Sequence, residues 1–299
     1  MTNDGADFRD AYYSAPDGLR LHARVYGAPH ERTFTVVCLP GLTRNARDFH
    51  MLALELAGDS LHPRQVIAFD YRGRGQSQYD SDWRNYQVPV EAADVIAGLS
   101  ALGVDNGVFI GTSRGGLVIH VLAAIRPAVL KAIVLNDVGP VLDGEGLAHI
   151  RAYLERAPKP TSFSEAVAIQ RAAHGTAFPA LRTADWERMV GALYRLEDGT
   201  PVADFDPELL NLLKDFDPSK PLPELWPQFE GLADVPLLAI RGANSKLLSA
   251  ATFAEMARRH PDCQAVTVEG QGHAPLLETA GLPSIIRDFI VRVEHKTYR

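Results

Sequence analysis

A chain of 299 residues, 46% hydrophobic and 22% charged, has enough apolar material for one large domain, or for one domain carrying an insertion. Its formal net charge of −7, with acids and bases interspersed, argues against nucleic acid or an anionic membrane as the main partner, and its two cysteines, Cys38 and Cys263, give neither a disulfide framework nor a metal-ligand spacing. The first seven residues are acidic and polar, unlike a secretory signal, and no apolar run approaches the ~18 residues of a bilayer span, so a soluble cytoplasmic protein is the expectation.

Residues 12–26 read as a hairpin, with Pro16-Asp17-Gly18 as the turn and Leu19, Leu21, Ala23 and Val25 alternating after it. Residues 34–39 form an apolar strand, with Cys38 as a small buried hydrophobe, and run into Pro40-Gly41-Leu42-Thr43. Phe49, Leu52, Leu56 and Ala57 recur at helical spacing over 45–57. A strand over 65–69 ends in the glycine-rich turn Asp70-Tyr71-Arg72-Gly73-Arg74-Gly75-Gln76-Ser77. A helix over 90–102 precedes a strand over 108–110. Gly111-Thr112-Ser113-Arg114-Gly115-Gly116 follows, and then a helix over 117–125 that stops near Pro127. A buried strand over 132–135 leads into Asn136-Asp137-Val138-Gly139-Pro140.

After Pro140 the pattern changes. Over 141–231 no strand pattern stands out, and helical periods recur at 147–154, 163–173, 186–196, 207–213 and 223–229. Alternation then resumes with a strand over 236–240, a helix over 251–259, a strand over 265–268 and a helix over 282–293. Alternating strands and helices predict an α/β fold with a mostly parallel central sheet flanked by helices, built from residues 1–140 and 232–299. A block of roughly ninety residues is too long for a loop, so 141–231 is expected to be an inserted helical cap that walls a pocket at the carboxyl ends of the strands.

Gly-x-Ser-x-Gly between a strand and a helix places Ser113 on a sharp turn with its hydroxyl exposed, and glycines at 111 and 115 let strand and helix pack closely. A Ser in a glycine-rich turn that merely caps a helix is the plain alternative. Serine needs a base. His273, in Glu269-Gly270-Gln271-Gly272-His273-Ala274-Pro275 after a predicted strand, has the setting and the chain order for one. The other histidines read as surface or helix-face residues, His174 among them. Two backbone donors are needed for a developing oxyanion: the N–H of Arg114, next after Ser113, and the N–H of Leu42, because Pro40 has none.

Together these pieces resemble the α/β-hydrolase superfamily, in its cap-bearing esterase and C–C-hydrolase branch. The matching segments are Leu39-Pro40-Gly41-Leu42, Asp70–Ser77, Gly111–Gly116 and Gly270-Gln271-Gly272-His273. The resemblance implies an α/β-hydrolase fold and a Ser–His–acid triad. It also implies an acid a few residues after the 236–240 strand, where Lys246 stands. A protonated Lys cannot accept the His Nδ1–H. Three readings remain: the acid has moved to Asp137 at the previous strand end, Asn244 or Ser245 orients a dyad, or the chain is catalytically weakened. Asp137 also has a structural alternative, capping the turn at 138–140. Serine rather than aspartate at the elbow argues against dehalogenase and epoxide-hydrolase chemistry.

The reading is therefore a serine hydrolase, carboxylesterase- or lactonase-like, acting on a small to medium ester or lactone. Ser113, His273 and Asp137 are its catalytic residues, Leu42 and Arg114 form the oxyanion hole, and no cofactor or metal is needed. A C–C bond hydrolase of aromatic ring-cleavage products and a non-catalytic ligand receptor on the same fold are the alternatives. Arg44, Arg47, Arg72 and Arg114 lie near the expected active edge as candidate carboxylate ligands, with ion pairing or solvation as the plain role and Arg72 read as structural. A homodimer is compatible with the sequence.

Overall fold

The computed structural model describes residues 7–214, 217, 220 and 222–298; the polar N-terminal residues 1–6 lie outside them. The chain enters as an antiparallel hairpin, β1 (Arg9–Ser14) and β2 (Arg20–Tyr26). It continues through β3 (Thr35–Leu39), a short 3₁₀ turn, α1 (His50–Ala57), β4 (Val66–Asp70), α2 (Val88–Ala101), β5 (Gly107–Thr112), α3 (Arg114–Ile125) and β6 (Leu130–Asn136). Pro127 stops α3 two residues after its end, because proline has no N–H for the helix ladder.

Between β6 and the next strand of the main sheet lies the insertion. It holds α4 (Gly144–Arg156), α5 (Phe163–His174), α6 (Thr183–Leu193), the strands β7 (Tyr194–Glu197) and β8 (Thr200–Ala203), a 3₁₀ segment over Pro207–Leu213 and α7 (Trp226–Glu230). The insertion is thus not all-helical as expected. The period read over 186–196 ends at Leu193, and the chain turns into a two-stranded antiparallel hairpin. Asp198 and Gly199 at its tip have φ of 48° and 81°, the pair of left-handed residues that a tight hairpin turn demands. The chain then returns through β9 (Leu237–Gly242), α8 (Ala250–Arg259), β10 (Cys263–Val268) and α9 (Leu282–Thr297).

The main sheet has the order β1-β2-β4-β3-β5-β6-β9-β10. Its β1–β2 and β2–β4 pairs are antiparallel and the rest parallel, so the mostly parallel α/β sheet expected from the alternation is the sheet observed. Both faces are covered, which explains why the central strands read as unbroken apolar runs. On β5, Phe109 joins the core under α2 and α3, while Val108 and Ile110 join the core under α1 and α9. Cys38 is fully buried among the latter.

Candidate functional site

The parallel register brings three strand ends to one level. Thr112 of β5 pairs with Asn136 of β6, and Asn136 pairs with Ile240 of β9. Ser113 and Asp137 therefore leave the sheet side by side, tied by Ser113 N–H to Asn136 O (3.0 Å) and Asp137 N–H to Ile240 O (2.8 Å). Both adopt left-handed φ, 53° at Ser113 and 56° at Asp137, which is uncommon for residues with a Cβ and found where function holds the chain in a sharp turn. The glycines make the Ser113 turn possible. A Cβ on Gly115 would lie 2.1 Å from Leu39 O, and one on Gly111 would lie 2.6 Å from the Gly115 backbone.

His273 reaches the pair from the loop after β10. Its Nε2 lies 2.8 Å from Ser113 Oγ and its Nδ1 lies 2.7 Å from Asp137 Oδ2. A carboxylate only accepts, so Nδ1 carries the proton toward Asp137, and Nε2 is free to accept from the Ser113 hydroxyl. Asp137 is fully buried and its remaining capacity is filled. Gly242 N–H donates to Oδ1 (2.8 Å) and Ser245 Oγ donates to Oδ2 (2.6 Å). The His273 loop is braced in turn: Gln271 accepts from Leu276 N–H (2.9 Å), and Asn136 Nδ2 donates to Pro275 O (3.0 Å).

The open readings of the acid now separate. Neither Asn244 nor Ser245 hydrogen-bonds His273: Asn244 Nδ2 donates to Ala177 O (3.0 Å), and Ser245 supports Asp137. The Asp137 carboxylate does not cap the 138–140 turn. Lys246, at the position where the acid was expected, is 63% exposed with its Nζ 3.9 Å from Glu145.

Leu42 and Arg114 line the same cavity as Ser113. Arg114 is the first residue of α3, so its N–H has no acceptor within the helix. Among the described residues the Leu42 N–H has no hydrogen-bond acceptor either. The loop carrying Leu42 passes Ser113 closely, with Gly41's missing Cβ position 3.9 Å from Ser113 Cβ. The loop is anchored from below by Asp70, whose carboxylate accepts from Ala46 N–H (2.6 Å), Gln76 N–H (2.9 Å) and the buried His22 Nδ1 (2.7 Å).

The cavity measures about 1060 Å³ and runs between the sheet edge and the insertion, where Ile150, Tyr153, His174, Met189 and Leu213 form its far wall. His174, a helix-face residue of the insertion that could line a pocket, does line it. Burial, with smaller contributions from His149 and Arg44, lowers its pKa to about 4, so its ring is a neutral wall set edge-on to Tyr153 at 4.5 Å. His22 and His260, read as surface or helix-face residues, are buried, and His120 is buried on α3.

Four of the five arginines that line the cavity face carboxylates, and the fifth, Arg24, lies over the Phe8 ring. Arg44 chelates Asp48, Arg47 pairs with Asp204 (2.7 Å), and Arg114 pairs with Glu91 (2.6 Å). Arg188 pairs with Asp185. Arg72 is buried with Asp94 and Asp80, the structural role read from sequence. Among the described residues no group of three or more acidic, His or Cys side chains is arranged to hold a metal, and no helix is long and apolar enough to cross a membrane.

A parallel sheet that sets a serine turn, a histidine and a buried carboxylate at adjoining strand ends, under an inserted lobe, is the framework of the α/β hydrolases. The chain belongs to the alpha/beta hydrolase family, whose model matches residues 36–282, and it is a hydrolase of that family. Among curated proteins it is similar to the 3-hydroxybutyrate-oligomer hydrolase of Cupriavidus necator, 32% identical over 87% of this chain and 89% of that one. It is also similar to the esterase YbfF of Escherichia coli, 26% identical over 85% of this chain and 92% of that one. Among solved structures, an alpha/beta hydrolase from Novosphingobium aromaticivorans superposes with a TM-score of 0.88 at 38% identity, over 96% of this chain and 99% of that one.

Proposed function

We propose that the protein is a serine hydrolase that cleaves neutral carboxylic esters through an acyl-enzyme intermediate. The observation that carries this reading is the continuous hydrogen-bonded line from Ser113 Oγ through His273 to Asp137 Oδ2, with steps of 2.8 and 2.7 Å. In this reading Ser113 Oγ attacks the ester carbonyl while its proton passes to His273 Nε2. The carbonyl oxygen becomes an oxyanion between the Leu42 and Arg114 amides. His273 returns the proton to the departing alcohol, and the tetrahedral adduct collapses to the Ser113 acyl ester. Water, deprotonated by His273, then releases the acid and restores Ser113. Asp137 stays ionised throughout and stabilises the transient imidazolium. Because Asp137 supplies the acid, Lys246 is no sign of lost turnover.

The substrate class follows from the pocket. Its wall is largely aliphatic and aromatic, His174 is neutral, Arg44, Arg47, Arg114 and Arg188 already face carboxylates, and Arg24 lies over the Phe8 ring. A neutral ester with a sizeable apolar portion suits such a wall better than an anion does. The ester links of hydroxybutyrate oligomers, the substrate in the name of the Cupriavidus necator relative, are the same kind of bond, in a molecule that also carries one terminal carboxylate. Residues 141–231 act in this reading as the cap that selects the acyl group. The test is the hydrolysis of p-nitrophenyl butyrate by the wild type and by Ser113→Ala. The wild type should turn over, and the variant should lose at least about 10³-fold in kcat; retained activity in the variant would overturn the assignment.

A further inference from the structure

The two amides assigned to the oxyanion lie on different segments, one in the loop after β3 and one at the start of α3. A buried charge cluster contacts the residues that carry both, at the Arg114 side chain and the Leu42 carbonyl. Glu91, in the first turn of α2, is fully buried. Its Oε2 accepts from Arg114 Nε at 2.6 Å, and Arg114 Nη2 donates to Tyr86 O at 2.7 Å. Its Oε1 lies 2.9 Å from Arg74 Nη2, an ion pair out of line for a hydrogen bond. Arg74 is fully buried as well, and its Nε donates to the Leu42 carbonyl at 2.9 Å. One carboxylate thus grips the guanidinium of the residue that carries one amide. Through Arg74 it also reaches the backbone of the residue that carries the other.

A buried carboxylate between two guanidinium groups is not a cheap device for stability. Desolvation of all three charges offsets most of the attraction, and an apolar replacement often serves as well. Burial opposes the Glu91 charge, but the Arg114 and Arg74 guanidiniums prevail and hold its carboxyl below its ordinary value, so the cluster is ionised. What such a cluster provides is fixed geometry. Oxyanion donors act only when they are held near 3 Å from where the charge will develop.

We propose that Glu91 is a positioning residue for acyl transfer, fixing the Leu42 and Arg114 amides relative to each other through Arg74 and the Arg114 side chain. The proposal rests on the acyl-enzyme reading above. It is tested on the full chain with Glu91→Gln, which keeps the shape and removes the charge, and with Arg74→Lys, which keeps a charge facing Glu91 and removes the Nε–H donated to Leu42. Glu294→Gln is the control: it breaks the similarly buried Arg64–Glu294 pair (2.8 Å) between α9 and the loop before β4.

Three quantities are read for each: kcat and KM on p-nitrophenyl butyrate, the melting temperature, and the Kd of an alkyl boronic acid, whose tetrahedral adduct with Ser113 occupies the oxyanion position. Glu91→Gln and Arg74→Lys should each lower kcat about 10- to 100-fold and weaken the boronate by a similar factor, with KM within about threefold. Glu294→Gln should lower the melting temperature and leave kcat and boronate affinity within about twofold. The proposal is overturned if Arg74→Lys and any folded Glu91→Gln keep wild-type kcat and boronate affinity. It is equally overturned if they lose activity only in proportion to melting, as the control does. A wild type that fails to bind the boronate, or an active Ser113→Ala, would sink the acyl-enzyme reading itself, whereas normal boronate binding with indifferent variants sinks only the role of Glu91.

Discussion

His273 Nδ1 lies 2.7 Å from Asp137 Oδ2, so this ring faces a carboxylate from the end of β6 and not the segment after β9. Asp137 and β9 are nonetheless neighbours. The acid's N–H is bonded to Ile240 O, and its Oδ1 accepts from Gly242 N–H at the end of β9. Asp137→Asn keeps the shape but offers His273 an amide in place of an anion. Its kcat should fall about 10³- to 10⁴-fold, while Lys246→Asp should leave kcat within about threefold and fail to rescue the Asn variant. Steady-state kinetics of the two single variants and the double variant decide this.

Ser245 donates to Asp137 Oδ2 at 2.6 Å, the same oxygen that His273 uses, and accepts from Leu247 and Leu248 N–H at 3.2 Å each. Ser245→Ala leaves two amides and one carboxylate oxygen short of a partner. It should destabilise the fold by about 1–3 kcal/mol and lower kcat several-fold with little change in KM. Urea unfolding beside steady-state kinetics measures both.

His174 makes the fold sensitive to acid. Its folded pKa of about 4 lies below the ordinary value of 6.5, because burial opposes its charge. Above pH 6.5 the ring is neutral whether the chain is folded or unfolded, and it contributes no pH dependence. As pH falls from 6.5 toward 4, the unfolded chain takes up the proton first, and stability is lost across that window. His174→Phe should flatten this part of the curve, so that its melting temperature drops less than the wild type's between pH 7 and pH 4.5. A parallel decline in both proteins would contradict the assignment.

The paired arginines predict selectivity for neutral substrates. With Arg44, Arg47 and Arg188 facing Asp48, Asp204 and Asp185, and Arg24 lying over the Phe8 ring, the described guanidiniums at the pocket are engaged within the protein. A neutral p-nitrophenyl ester should exceed the ester of the matching dicarboxylic half-acid in kcat/KM by about tenfold or more, the scale of an unpaired charge in a largely apolar site. Measuring both at one ionic strength checks it.

Much of this was legible in the residues. The apolar runs over 34–39, 108–110 and 132–135 alternate with helices, and this is the pattern of a parallel sheet covered on both faces. The glycines around Ser113 and His273 marked the loops at its carboxyl edge. The hairpin at 194–203 was missed because its strands continue the period of α6, although Asp198-Gly199 was the turn signal that could have revealed it. Glu91 went unnoticed for a different reason. An acidic residue in a first helical turn is expected from the helix dipole alone, and only the folded chain brings Arg74 and Arg114 to it. His22 and His174 are likewise ordinary in sequence, and their burial depends on contacts between distant segments.

The central claim is that Ser113 is the acyl-accepting nucleophile. The most direct test is intact-mass and peptide analysis after treatment with an alkyl fluorophosphonate, which captures an activated serine as a stable tetrahedral ester. One adduct per chain, on Ser113, with ester hydrolysis lost in step with labelling and labelling strongly slowed in Asp137→Asn, is the predicted result. Labelling elsewhere, or ester turnover that survives full modification of Ser113, would contradict it.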